Sequence, residues 1–433
     1  MRTRAGSAIA AATLASRASA KSFDKKTSRA NIHTSIINEL FSANNSYTTP
    51  VFNLNGHSMQ PQNPIAAVTH PDPYPYYDTL LARAPLHFDR ELGAWVASRA
   101  AVIEEVLGHP ECRVRPCAEP VPKAIAASGA GDVFARLIRM NDGAAHASGK
   151  RIVGRALAGI EPTTTLACVS EAAEVLARHH DLADAVGLTR WIFDLPTWAV
   201  ARLLGFERTD LSEIVSLTRD FVQCLSPLSG PAQLNRAGVA AFELHARFGK
   251  LLNGKRRSGT LLDQLTHEAW LDRDAMIANL VGLLSQTHEA TAGLIGNSVV
   301  RLMRETQSSA NAVAAPLIAA ATVREVMRLD PPIQNTRRFV GAASMIAGQE
   351  LHSGDLIVLV LAADRHDPTA LGFGHGGHAC PGQALALGIA TGAVSYLLAT
   401  GQLPDRESCR WHYRPSDNAR LPLFYSLPPK ATP

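Results

Sequence analysis

The ten residues Phe373-Gly-His-Gly-Gly-His-Ala-Cys-Pro-Gly382 constrain this chain more than any other stretch. They present one cysteine, Cys380, in a loop that holds four glycines. Glycine permits backbone conformations closed to other residues and lets the chain approach a flat group closely. Backbone N–H groups left free in such a loop can donate to the sulfur and favour its thiolate form. The apolar run Gln383-Ala-Leu-Ala-Leu-Gly-Ile-Ala390 reads as a helix starting at the loop, with its positive end toward the anionic sulfur. A thiolate displayed in this way suits a metal ligand. The alternative is a zinc site from His375, His378 and Cys380. Those three lie within six residues, tighter than usual zinc spacing, and no second Cys/His pair completes four ligands.

Composition limits the setting. The chain has 433 residues, 46% apolar and 18% charged, enough for one large core or two lobes sharing one. Net charge is +4 and the pI about 8.8. Lys and Arg are scattered rather than striped, so nucleic acid is not indicated as a partner. The six cysteines include no Cys-x-x-Cys. That argues against a zinc ribbon or a thioredoxin-type motif, and for a reducing compartment with one functional cysteine. No run reaches the roughly 20 apolar residues of a membrane span, and a cytoplasmic location is expected. Residues 1–58 differ from the rest: the first thirty carry seven basic residues against one acid, Asp24, and are rich in Ala, Ser and Thr. They read either as an organelle-targeting segment or as a disordered extension. The catalytic domain is assigned to 59–433.

Along that domain short extended pieces alternate with long helical ones. Leu86–Phe88 and Trp95–Ala97 flank a turn at Glu91–Ala94 and predict a hairpin. Helices are expected at 99–108, 143–158, 164–180, 195–204, 210–225, 232–252, 273–303 and 315–329. The Pro/Gly/Ala-rich stretch 110–132 is expected to be loop. An extended region follows from 333 to 361.

The cysteine loop resembles that of the cytochrome P450 superfamily, the haem-thiolate monooxygenases. The pattern Phe-Gly-x-Gly-x-His-x-Cys-x-Gly-x-x-Leu-Ala is met at Phe373, Gly374, Gly376, His378, Cys380, Gly382, Leu385 and Ala386. The resemblance covers about residues 61–430. It implies a mainly α fold with a minor β lobe, the cytochrome P450 fold. It also implies haem b with Cys380 as axial ligand to iron, and Phe373 beside the ligand. By the same resemblance His146 and Lys150, the latter where the family has arginine, face one haem propionate. Arg338 faces the other, and His378 is a third candidate. Lysine keeps the charge but loses arginine's bidentate fork. Glu325-Val-Met-Arg328 matches a Glu-x-x-Arg signature whose pair shares a helix face. The resemblance makes this pair structural, supporting the haem from below.

The stretch Gln286-Thr287-His288-Glu289-Ala290 in helix 273–303 resembles the distal helix. Glu289 stands at the acid position, but the alcohol usually beside it is Ala290. Thr287 or Gln286 is expected to supply the distal hydrogen bond instead; Thr291, or a slight helix shift, is the alternative. The meander that normally precedes the cysteine loop is reduced to Thr369–Gly372 after Asp367-Pro368. Arg365 or His366 is the stand-in for its arginine. The implied reaction is insertion of one oxygen atom of O2 into a small hydrophobic substrate. Electrons would come from a ferredoxin or flavodoxin with its reductase. Substrate contacts are expected from 115–135, the distal helix and Ile333–Thr336. The absent alcohol leaves open a non-hydroxylating or peroxide-driven haem-thiolate enzyme, and the short meander leaves open a haem-binding protein without turnover.

Overall fold

The computed structural model describes residues 60–254, 258–305, 313–367, 369 and 371–427. Residues 1–58, read above as an extension, lie outside them. The fold is mainly helical with a small β lobe, as the sequence implies. Thirteen described helices run in chain order. They are α1 (Pro64–Ala67), α2 (Tyr74–Leu81), α3 (Ala100–Gly108), α4 (Gly129–Arg136), α5 (Gly143–Ala158), α6 (Pro162–His179) and α7 (Ala185–Leu204). Then come α8 (Arg208–Phe221), α9 (Pro231–Asn253), α10 (Leu261–Thr266), α11 (Arg273–Arg304), α12 (Ala315–Leu329) and α13 (Gln383–Ala399).

The β lobe is a five-stranded mixed sheet of order β1-β2-β7-β4-β3. The strands are β1 (Leu86–Asp89), β2 (Ala94–Ala97), β3 (Cys112–Arg113), β4 (Thr336–Val340) and β7 (Leu356–Leu359). The hairpin forms in the expected place, with Phe88 opposite Trp95. Two further hairpins pair β5 (Ser344–Ile346) with β6 (Gln349–Leu351), and β8 (Cys409–Tyr413) with β9 (Pro422–Ser426).

The longest helix, α11, starts where the Asp272 carboxylate accepts the Ala275 N–H at 2.6 Å, an N-cap. Leu280, Val281, Leu284, Leu294 and Ile295 bury it in the main core. Gly293 and Gly296 let the loops press close. A Cβ at Gly293 would lie 2.8 Å from Pro332 Cβ, and one at Gly296 would lie 2.6 Å from Pro422 Cγ. These contacts fix α11 against the chain that leads into β4 and against the start of β9.

Several expectations are corrected. Helix α7 begins at Ala185, not 195, and passes through Pro196. A proline costs a helix one backbone bond. Burial of Trp191, Ile192, Leu195 and Trp198 outweighs that cost. The stretch 110–132 contains β3 and the start of α4, whose Val133 and Phe134 reach the core. Glu325 does not pair with Arg328. Its carboxylate meets Arg301 of α11 at 2.8 Å, and Arg328 is exposed. The Glu325 side chain is nearer to a neighbouring helix than to its own next turn. Nor does Arg365 complete a network with Glu325: it lies over the Tyr74 ring and faces Asp78 at 3.4 Å.

Candidate active site

Between α11 and the loop before α13 lies a cavity of about 1620 Å³. Pockets for one small ligand usually span about 300–1,000 Å³, so there is room for a large prosthetic group and a substrate together. Its floor is the cysteine loop. Gly374 and Gly376 adopt φ +73° and +62°, a region that strains any residue with a Cβ. These two positions turn the chain so that the Cys380 N–H donates to the Phe373 carbonyl at 2.8 Å. Cys380 lines the cavity, and its accessible surface faces that space. Burial pushes its thiol up; the Gly382 N–H and the Lys150 ammonium pull the other way. A bound metal cation supplies the positive charge that makes such a thiol a thiolate.

Helix α5 grips this loop. His146 Nε2 faces the Gly377 carbonyl at 2.9 Å, and its Nδ1 faces the Ile138 carbonyl at 3.0 Å. Lys150 Nζ donates to the Ala379 carbonyl. His378 lies against His146 with ring centroids 3.8 Å apart and the rings tilted by 33°, and meets Asp142 at 3.2 Å. Burial, with His146 and Arg338 beside it, pushes His378 down to about 4. His375 turns to Glu104 at 3.4 Å, so the three residues of the zinc alternative face different partners. Among the described residues no group of three metal-ligating side chains is assembled.

Four residues were expected at propionates, and they divide. His146, Lys150 and His378 are engaged with the loop or with Asp142. Arg338 differs: it is 5% exposed, lines the cavity, and gives Nη1 to the Arg337 carbonyl at 2.8 Å. Its buried Nε has no partner. A buried donor without an acceptor is costly, and an anionic group in the cavity would satisfy it. A presented cysteine, an unsatisfied buried guanidinium and this volume together fit haem.

The roof is one face of α11. Asn279, Leu283, Gln286, Thr287, Ala290, Thr291 and Leu294 line the cavity, at helical spacing. Glu289 is turned off this face and pairs with Arg414. His288 is buried on another side, 3.0 Å from the Thr197 hydroxyl, and burial pushes it down to about 4. The expected donors are engaged within their own helix. Thr287 Oγ1 donates to the Leu283 carbonyl at 2.8 Å, and Gln286 Nε2 to the Gly282 carbonyl at 3.0 Å. The Thr291 hydroxyl makes no hydrogen bond among the described residues. The walls come from residues between Val114 and Ile125, from Phe134, and from Ile333, Asn335 and Thr336; of the expected stretch 115–135, residues 126–133 do not line the cavity. Two contributions were missed: the segment 224–230 and Arg139. Arg139 carried a signal, being a charge between the apolar Ile138 and Met140.

No family model matches the chain. It is 23% identical over 380 residues to the biotin biosynthesis cytochrome P450 of Bacillus subtilis, covering 79% of this chain and 93% of that one. It is 26% identical over 345 residues to the vitamin D(3) 25-hydroxylase of Pseudonocardia autotrophica, covering 73% and 83%. Among solved structures, P450BioI in complex with hexadec-9Z-enoic acid ligated acyl carrier protein superposes with a TM-score of 0.66. That match covers 82% of this chain and 98% of that one at 21% identity, which shows the fold. Together with the cysteine loop and the cavity above it, these likenesses show a cytochrome P450 fold and make the chain similar to the haem-dependent monooxygenases of that superfamily.

Proposed function

We propose that the protein inserts one oxygen atom of O2 into a small organic substrate with a largely apolar body. Haem b is held by Cys380, and electrons come from a ferredoxin or flavodoxin with its reductase. The observation that carries this reading is the position of Cys380, opening into a cavity roofed by the polar-edged face of α11. When bound, the haem supplies oxygen activation, favoured by electron donation from the cysteine sulfur. The protein supplies the rest. The loop hydrogen bonds fix the sulfur, and Arg338 offers Nε to a propionate. Ile333 and Phe373 add apolar wall.

Proton control falls to Thr291. Ala290 has no hydroxyl. Thr287 has already given its proton to Leu283, although its oxygen can still accept from a water. Thr291 has the uncommitted hydroxyl on the cavity face. Glu289 acts by holding Arg414 and not at the cavity. Ala290 also supports a second reading, a peroxide-driven or non-hydroxylating haem-thiolate enzyme.

Purified holoprotein separates the readings. A thiolate-type Soret band with carbon monoxide, together with substrate-dependent reductant use through a ferredoxin system, supports monooxygenation. Turnover with peroxide alone supports the second reading. Haem binding with neither activity points to a protein without turnover, and absence of the thiolate-type band overturns the assignment of Cys380.

A further inference from the structure

Arg139 sits in the short 3₁₀ turn Ile138–Met140 between α4 and α5, and its side chain lines the cavity. It carries accessible surface, but that surface is cavity wall. Protein surrounds the guanidinium closely enough for desolvation to pull its pKa down. Among the described residues the guanidinium makes no hydrogen bond and no ion pair. Arg139 is exposed to the cavity space and not sealed in protein, so its guanidinium is open to an anion that enters the chamber.

The acids within its reach are already committed or neutral. Cys224 is one, and burial pushes its thiol up to about 12, so it stays uncharged. Glu289 is the other, and it is paired with Arg414. The cavity wall holds two further carboxylates. Asp417 is bound to Arg337 at 2.5 Å, and Glu119 accepts the Lys123 N–H at 3.0 Å. Neither pairs with Arg139, and neither is among the charged groups that act on it.

Arg139 also stands apart from the haem's expected cationic edge. The charged neighbour of Cys380 is Lys150, and Arg338 gathers with His146, His378 and Asp142. The groups that feel Arg139 are on α11 and on the turn Val222–Leu225, toward the roof. Much of the remaining wall on that side is apolar, with Phe134, Leu225, Leu228, Leu234 and Leu283.

We propose that Arg139 anchors a carboxylate on the substrate, so that the chamber takes an organic acid with an apolar body rather than a neutral hydrocarbon. This rests on reading the cavity as the substrate chamber of a haem-thiolate oxygenase. A guanidinium can hold a carboxylate through two parallel N–H donors, which would set the acid end at the roof and leave the apolar body to extend along the chamber.

The test compares wild type, Arg139→Gln and Arg139→Lys with straight-chain acids from octanoate to hexadecanoate, each against its methyl ester. Affinity is read by calorimetry and, in the holoprotein, by the Soret shift. The expected result for wild type is tighter binding of at least one acid than of its ester. Arg139→Gln should weaken that acid by about 10- to 100-fold, the range of a hydrogen bond to a charged group, and leave the ester within about twofold. Arg139→Lys should recover part of the loss. Equal losses for acid and ester, no preference in wild type, or no saturable binding by any acid each overturns the proposal. Calorimetry reads acid binding whether or not haem is incorporated. A protein that binds acids through Arg139 but forms no thiolate-type band would therefore refute the oxygenase reading alone.

Discussion

Lys150 stands where the family's arginine is expected to meet a propionate, yet its ammonium donates to the carbonyl of Ala379, the residue before the cysteine. Replacement by methionine keeps most of the apolar stem and removes the donor. The lost bond is charge-assisted, and such bonds contribute about 1.5–3 kcal/mol when buried. Lys150 is half-buried, so the lower end applies, about 1.5 kcal/mol. That corresponds to roughly tenfold in the equilibrium for opening the loop. His146 still holds Gly377, so the loop should loosen rather than unfold.

The assay is amide hydrogen exchange across residues 373–382, together with the rate at which Cys380 reacts with a thiol reagent in the haem-free protein. Cys117 is also exposed and is changed to serine in every variant to remove its signal. Lys150→Met should raise amide exchange by about tenfold, with no change in α11, and the reagent rate by less, because loss of the ammonium also removes a charge that favours the thiolate. Lys150→Arg should keep the protection, because its guanidinium can still donate to the carbonyl. Unchanged exchange in Lys150→Met would refute the loop-clamp role and return the lysine to a propionate.

Other outcomes follow from the same contacts. Thr291→Ala should keep the thiolate-type band but lower product formed per reductant consumed by about tenfold or more. Thr287→Ala should change that ratio little, and the reverse order would restore Thr287 as the donor. Arg420 is 1% exposed, lies 2.9 Å from Asp330 and stacks on Tyr413. Arg420→Met should therefore cost about 3–5 kcal/mol in urea unfolding; a shift below about 1 kcal/mol would place the charge in solvent. His288 is held neutral, near 4, against an ordinary value near 6.5. Its unfolded state therefore binds the extra proton between those values. The contribution is fully present above pH 6.5 and is lost as pH falls toward 4, by about 3 kcal/mol in all. His288→Asn should flatten that part of the stability profile, and an unchanged slope would contradict burial of the ring.

What was legible in the sequence is what depends on local pattern. The cysteine loop announces itself because its glycines and the helix after it are contiguous. Helix 143–158 follows from periodicity that no proline interrupts, and helix 315–329 has its proline, Pro316, in the first turn, where it is tolerated. Helix α7 was truncated because Pro196 outweighs its neighbours locally, whereas three-dimensional burial of Trp191 and Leu195 decides the outcome. The partner of Glu325 was misread for a related reason: Arg328 is one turn away in sequence, but Arg301 is nearer in space. The donors on α11 were misassigned because nothing in sequence shows that Thr287 and Gln286 spend their protons on carbonyls one turn back. Arg139 was passed over because a single charge in a short turn has no periodicity.

The short approach to the cysteine loop can be understood in the same terms. With Glu325 held by Arg301 and Arg365 held at Tyr74 and Asp78, neither of these two residues reaches the loop to support it. Packing takes over part of that task. Leu371 is buried, and Gly372 lies so close to the end of α12 that an added Cβ would fall 2.7 Å from Met327 Cε and 3.1 Å from Pro331 Cβ. A longer connection could stand off from α12; this one lies against it. The loop is then fixed from two sides, by apolar contact at Leu371 and Gly372 and by the α5 side chains at Gly377 and Ala379. The α5 contacts act on backbone next to Cys380, at Gly377 and Ala379, and the apolar contacts hold the chain where it enters the loop, so a shortened frame and a well-placed sulfur are compatible.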